Sequence, residues 1–408
     1  MAVKLEIPEQ VEWILNRLRQ CGYEAYIVGG CVRDALLGRK PGDWDITTSA
    51  LPAEVKKVFG RTVDTGLQHG TVTVMRDHVG YEITTYRIDG EYEDGRHPKE
   101  VAFTRELKED LRRRDFTINA MAYSHETGLV DIFGGEEDLK NGVIRCVGKA
   151  HERFTEDVLR ILRAIRFSAQ LNFKIEEETW DALCTLAPGL VQISRERIQT
   201  ELTKTLLSDR PEAILKVEAA GMSPYIVPGF SEVFLDRELK GRLEQSRLLP
   251  AEKALRWSVF LAKAGEKNAA AVLRELKMDN DTIRKTEVLV RWFGKEIEEN
   301  ETAVRRAMSA MDDVVFDWLL ELKEAAHPEN TEHIRTVRGM ALASRGRGEC
   351  IRKKQLAVTG NDLIRLGFVP GPDLGQTLDV LFEEVLENPG CNNRQELLAR
   401  AESMLGCK

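Results

Sequence analysis

The stretch YIVGGCVRDALLGRKPGDWDIT, Tyr26–Thr47, sets a glycine pair, an Arg-Asp pair and two aspartates one residue apart on a strand–turn–helix–strand frame. The apolar run before Gly29-Gly30 reads as a strand and CVRDALLGR as a helix. Glycines at that junction let backbone approach a phosphate closely, and the first free N–H groups of the helix point toward it. Arg33, inside the first turns, adds a charge-assisted contact to the same anion. A glycine pair alone makes only a turn, so the meaning of this one depends on the residues downstream of it.

Twelve residues past the helix start at Cys31, Asp43 and Asp45 stand on either side of Trp44. The segment DWDITT reads as a strand, where residues two apart share a face. Two carboxylates side by side repel, and burial sharpens the cost. A divalent cation removes that repulsion, and hard oxygen ligands beside a triphosphate suit Mg²⁺. Such ions activate a 3′-hydroxyl and stabilise a leaving pyrophosphate. A phosphate-cradling turn with paired carboxylates after it is the layout of a metal-dependent nucleotidyltransferase. A third carboxylate is usual in such sites, and Glu82 in GYEITTYR is the candidate.

The chain of 408 residues is long enough for several domains and a sizeable core. Its N-terminus has no basic-then-apolar leader and no apolar run approaches a membrane span, so a cytoplasmic protein is expected. Seven scattered cysteines with no CxxC argue against zinc fingers and a disulfide framework. The net charge of −8 speaks against a nucleic-acid partner taken alone, but six Arg/Lys face three acids between Arg145 and Gln170. Short β-rich runs fill the region up to about residue 135, whereas apolar residues recur at helical spacing from about 137 onward. The polar, Gly/Pro-containing segment 89–100 reads as a mobile loop. An α+β head with a small mixed sheet, then an all-helical remainder, is the predicted architecture.

EDVLRILRAIRF, 156–167, reads as one helix carrying Asp157, Arg160, Arg163 and Arg166 at steps of three. These four sweep one half of it, with Val158, Ile161, Leu162 and Ile165 on the other. A carboxylate only accepts hydrogen bonds and a guanidinium only donates them. Adenine and cytosine both show an amino donor beside a ring-nitrogen acceptor, whereas guanine and uracil show the reverse. An Asp157–Arg160 pair therefore suits A and C without a nucleic-acid template, with discrimination of the order of 10⁴-fold in favourable cases. DLRRRDFTINAMAY, 110–123, adds Arg114 as a triphosphate ligand and Asn119 as an orienting group.

With these pieces in order, the sequence resembles the class II tRNA nucleotidyltransferases, the bacterial CCA-adding enzymes. The matching blocks are GGCVRDALLGRKPGDWDITTSA, RRDFTINAMAY, DIFGGEEDLKNGVIRCVG, RFTEDVLRILRAIRFSAQLNF and ISRERIQTELTKTL, over roughly residues 22–207. A C-terminal segment, LAVTGNDLIRLGFVPGPDLGQTLDVLFEEVLENPG, is similar to the family's tail, which holds the tRNA elbow.

The resemblance implies a polymerase-beta-like nucleotidyltransferase head (1–140), a helical neck reading the nucleotide base (141–210), a helical body (211–330) and a helical tail (331–408). Gly30 and Arg33 would contact the triphosphate, Asp43 and Asp45 would bind Mg²⁺ and carry catalysis, and Arg114 would bind the nucleotide. Asp157 and Arg160 would be the protein template for CTP and ATP, supported by Arg163 and Arg166. The loop 89–100 corresponds to the one implicated in switching from CTP to ATP. The implied partner is tRNA, with no membrane and with a homodimer left open. The family usually has Pro where Ile132 stands, and no HD dipeptide marks a fused phosphohydrolase. Addition of A alone beside a CC-adding partner, poly(A) synthesis and a non-catalytic RNA-binding role stay open at this level.

Overall fold

The computed structural model describes residues 4–90 and 101–405, so the expected loop at 89–100 lies outside the described residues from 91 to 100. The chain divides into two compact units, Met1–Phe234 with Glu275–Lys277, and Leu235–Arg274 with Met278–Lys408.

The first unit opens with α1 (Glu9–Gln20), whose Val11, Ile14, Leu15 and Leu18 recur at helical spacing and are buried. The strands β1 (Ala25–Val28), β2 (Ile46–Thr48), β3 (Thr62–Gly66), β4 (Thr71–Arg76), β5 (Val79–Thr85), β6 (Arg87–Asp89), β7 (Val101–Phe103), β8 (Met121–Ser124) and β9 (Gly128–Asp131) come next. Seven of them form one sheet in the order β3-β4-β5-β2-β1-β8-β9, while β6 and β7 make a separate ribbon. The pair β2–β5 is parallel and the other pairs are antiparallel, giving the mixed head sheet expected. Register aligns Ile27 with Ile46, Ile46 with Ile83 and Ile83 with Val72, four buried side chains in one row on one face. On that side α1 and α3 (Pro52–Val58) pack against the sheet. The alternate residues Val28 and Ala122 meet Leu111 of α4 (Leu107–Arg112) on the other face. The β2 residue Thr47 reaches Asp110 of the same helix, Oγ1 to Oδ2 3.3 Å.

Strand β1 ends at Gly29, with φ 82° and ψ −129°, and α2 (Gly30–Leu36) begins at once. The left-handed φ requires glycine here, and a Cβ would meet only the movable Arg114 Nη1, at 2.7 Å. After β9 the Asp131 carboxylate accepts the N–H groups of Gly135 and Glu136, both at 2.8 Å, and caps α5 (Gly135–Asn141). That cap holds the turn in which Ile132 stands, exposed.

The rest of this unit is helical: α6 (Ala150–Glu156), α7 (Arg160–Leu171), α8 (Glu177–Leu186) and α9 (Arg195–Leu206), with a short parallel pair at Val143–Ile144 and Lys174–Ile175. The second unit, among its described residues, is built of helices. Several start at acceptors legible in the sequence: Asp279, Asn300 and Asp312 each bond a backbone N–H three residues on. Buried Arg305 donates to the Leu386 and Glu387 carbonyls at 2.6 and 3.2 Å, tying helix Glu301–Ser309 to the end of helix Pro372–Glu387. No helix among the described residues is long and apolar enough to cross a membrane.

Gly135 packs where a Cβ would lie 2.3 Å from the Thr117 carbonyl oxygen and 2.9 Å from Met121 Cγ. The obstacle is backbone and cannot swing aside. Replacement Gly135→Ala is expected to destabilise this unit by about 3 kcal/mol in urea unfolding, whereas Gly339→Ala, with open space around it, should not.

Candidate active site

The turn at Gly29, the segment before β2, the residues after α4 and the helices α7 and α9 together line a cavity of about 500 Å³. Nine of the residues expected to hold nucleotide or metal line it: Gly30, Arg33, Asp43, Asp45, Arg114, Asp157, Arg160, Arg163 and Arg166. Two local expectations need correcting.

The first concerns the aspartates. Strand β2 begins at Ile46, so Asp43 and Asp45 precede it and do not lie within it. Extended pairing nevertheless reaches back to Asp45, whose carbonyl accepts from Val28 N–H at 3.0 Å. Both side chains face the cavity. Burial pushes the Asp45 carboxyl above its ordinary range, the neighbouring Asp43 charge adds to the rise, and Arg114 opposes it. Glu82 also raises it, because the Ile46–Ile83 register sets Glu82 beside Asp45. Yet Glu82 is exposed and does not line the cavity, and no group of three potential ligands is assembled among the described residues.

The second concerns 156–167, which is not one helix. Helix α6 stops at Glu156; Asp157 takes φ −141° and ψ 101°, and α7 starts at Arg160. The Asp157 carboxylate causes the break by accepting the Leu159 N–H at 3.1 Å in place of a helical carbonyl. Asp157 and Arg160 are therefore not a direct pair. The other oxygen of Asp157 takes Arg197 Nη2 of α9 at 2.7 Å. Arg160 donates through Nη1 to Glu156 and the Arg153 carbonyl, and through Nη2 to the Arg113 carbonyl. On the arginine face, Arg160 and Arg166 are buried. Arg166 Nε lies 3.1 Å from the buried Glu201 carboxylate. Burial brings its guanidinium down to about 10, against the pull of Glu201, so it stays charged at neutral pH.

Sequence reasoning passed over three contributors. Asp115 accepts Arg163 Nε at 2.8 Å and Asn119 Nδ2 at 3.1 Å, and Asn119 Oδ1 takes Arg33 Nη1 at 2.6 Å. This chain of contacts joins the phosphate turn to α7. Burial would raise the Asp115 carboxyl, but Arg163, Asn119 and Arg160 outweigh it and hold it at about 2. Phe167 lies beneath three guanidiniums, those of Arg166, Arg33 and Arg163, at 4.2, 5.1 and 5.4 Å from its centroid. Arg197 fixes Asp157 from a helix forty residues on. A carboxylate directly after three arginines was a readable hint for Asp115, whereas nothing in the sequence announces a contact between 157 and 197.

The donors are not equally committed. Arg33 spends Nε and Nη2 on Asp34 and Nη1 on Asn119. Arg114 keeps Nε buried without a hydrogen-bond partner and has only a 3.5 Å approach to Asp110. Such a site offers free cationic donors beside the glycine turn, two crowded carboxylates on one wall and an Asp–Arg set on another.

Comparison with known proteins agrees with this geometry. Residues 25–145 match the family described as "Poly A polymerase head domain", 172–233 an RNA- and SrmB-binding site of polymerase A, and 250–401 the tRNA nucleotidyltransferase domain 2. The CCA-adding enzyme of Levilactobacillus brevis is 38% identical, with 96% of this chain and 98% of that protein covered. That of Leuconostoc mesenteroides is 37% identical over 94% and 93%. The solved Bacillus stearothermophilus CCA-adding enzyme in complex with CTP superposes with a TM-score of 0.81, covering 99% of each chain at 29% identity. On its near-full-length likeness to these proteins, the chain belongs to the class II CCA-adding enzymes, the tRNA nucleotidyltransferases.

Proposed function

We propose that the chain adds the 3′-terminal CCA to tRNA, and repairs it, from CTP and ATP without a nucleic-acid template, releasing pyrophosphate in an Mg²⁺-dependent reaction. CCA addition is the activity of the family. The observation that carries the assignment of roles is that Asp43, Asp45, Asp157 and Arg160 all line one cavity.

The donor set fits a hard cation. Two carboxylates crowd together, one pushed upward by burial and by its neighbour, and Mg²⁺ accepts few protein ligands because it keeps waters and phosphate oxygens. Asp43 and Asp45 would hold Mg²⁺, which would supply Lewis-acid stabilisation of charge on the α-phosphate and favour ionisation of the tRNA 3′-hydroxyl. The glycine turn admits the triphosphate, and Arg114, with its uncommitted Nε, is the principal phosphate donor. Arg33 and Arg163, already engaged, contribute positive charge and a fixed wall. Attack by the 3′-hydroxyl on the α-phosphorus, in line with the leaving pyrophosphate, then depends mainly on positioning and electrostatics.

Asp157 accepts the exocyclic amino group that cytosine and adenine share, and Arg160 donates to the ring nitrogen beside it. Arg197 and the Leu159 N–H hold the Asp157 carboxylate in place, leaving further lone pairs on its oxygens for the base.

Transcripts ending at the discriminator base and after CC, offered CTP, ATP or both, test the assignment. Both should be extended to CCA and then stop; extension of the second alone, or continued addition of A, would refute it. Asp43→Asn and Asp45→Asn should each lower kcat on the order of 10³-fold with the fold intact.

In the same assay Asp157→Ala should admit GTP and UTP at rates nearer those of ATP and CTP. Unchanged selection would remove the templating role.

Asp115 sets an acid limit. A carboxyl held at about 2 binds its proton more weakly folded than unfolded, where about 3.9 is ordinary. Its contribution is complete above about pH 4 and is lost as pH falls toward 2. Asp115→Asn should therefore lower stability at neutral pH and flatten the decline between those values, as thermal unfolding against pH will read out.

A further inference from the structure

A second cavity of the first unit, about 600 Å³, lies where α1, the end of α3 and the strands β3 and β4 meet. Its aromatic floor is Trp13 and Phe59, with ring centroids 5.7 Å apart. Arg17, Arg61 and Arg76 line it together with apolar and amide side chains, and no carboxylate is among the lining residues. In a chain of net charge −8, three guanidiniums around one opening without an acid are unusual company. Among the described residues neither Arg17 nor Arg61 takes part in an ion pair, and both are exposed. Arg76 stacks its guanidinium 3.8 Å from the Trp13 ring centroid. Its Nε is buried without a hydrogen-bond partner and comes no nearer than 3.8 Å to the Asp77 carboxylate.

We propose that this cavity binds single-stranded RNA, one base stacking on the Arg76–Trp13 platform and flanking phosphates pairing with Arg17 and Arg61. A guanidinium laid flat on an aromatic ring presents its outer face to a base. Uncommitted arginines at the rim meet a polyanion without first breaking an ion pair, and alternation of aromatic and cationic groups is what a single strand requires. A protein surface of this net charge is otherwise poor company for RNA, which concentrates contact where acids are missing. The position suits it: Arg61 directly precedes β3, Arg76 ends β4, and the Met75 N–H to Arg61 carbonyl bond of 3.0 Å holds the two together. Strand β4 lies two places from β2 in the sheet, about 10 Å at ordinary strand spacing. A strand of a few nucleotides held here therefore stays within reach of the catalytic end of β2.

Full-length protein carrying 5-fluorotryptophan has six ¹⁹F resonances, and Trp13→Phe identifies the one at issue. A short single-stranded oligoribonucleotide, added with CTP and ATP present to fill the catalytic cavity, should shift the Trp13 resonance. The same oligonucleotide, fluorescently labelled, should bind Arg17→Glu and Arg61→Glu about tenfold more weakly by anisotropy, with unfolding temperatures unchanged. A Trp13 resonance unmoved while anisotropy reports binding would overturn the proposal, because the RNA then sits elsewhere. An equal shift with CMP alone would also overturn it, in favour of a mononucleotide site.

Discussion

Asp43 and Asp45 are held on the same wall of a polar cavity, and their mutual repulsion is the constraint around which this unit is arranged. Extended pairing of Asp45 with Val28 places one carboxylate at the edge of the glycine turn, and spacing by two residues puts the other beside it. Burial raises the cost of charge on Asp45 and Asp43 adds to it, so the pair is under electrostatic load that Arg114 opposes. In the proposed role, a cation and a triphosphate together would relieve that load.

The opposite wall solves the converse problem of keeping many guanidiniums in one place. Each is steadied by a carboxylate that is not itself offered to substrate: Glu156 for Arg160, Asp115 for Arg163, Glu201 for Arg166 and Asp34 for Arg33. Pairing of this kind offsets the desolvation of burying charge but contributes little net stability, and its value lies in geometry. Asp115 matters most, because its two oxygens reach Arg163 on one side and, through Asn119, Arg33 on the other. The glycine turn and α7 are thereby registered against each other. Phe167 keeps the three guanidiniums above it spaced over one ring.

Much of this was legible in the residues, and the reasons for success and failure are local ones. The strand ending at Val28, the helix after Gly29-Gly30, the mixed sheet and the helical remainder all come from apolar periodicity and turn residues, which act over a few positions. The cavity's composition was legible for the same reason, since the motifs that line it lie in short blocks. The helix through 156–167 was misread because Asp157 has a side-chain alternative to the helical hydrogen bond, and periodicity does not register that competition. The neutralising partners of the arginine face, Asp115 and Glu201, could not be read from this segment because they come from outside it. Arg197 was invisible as a partner of Asp157 for the same reason: forty residues separate them, and only the packing of α7 on α9 brings them together.

The account stands or falls on whether Asp43 and Asp45 share a cation. Titration of the full-length protein with Mn²⁺ in the presence of CTP, monitored by electron paramagnetic resonance, measures this directly. The account predicts a bound-ion signal in the native protein that is lost in Asp43→Asn and in Asp45→Asn while both variants remain folded. Mn²⁺ affinity indifferent to both substitutions would contradict it.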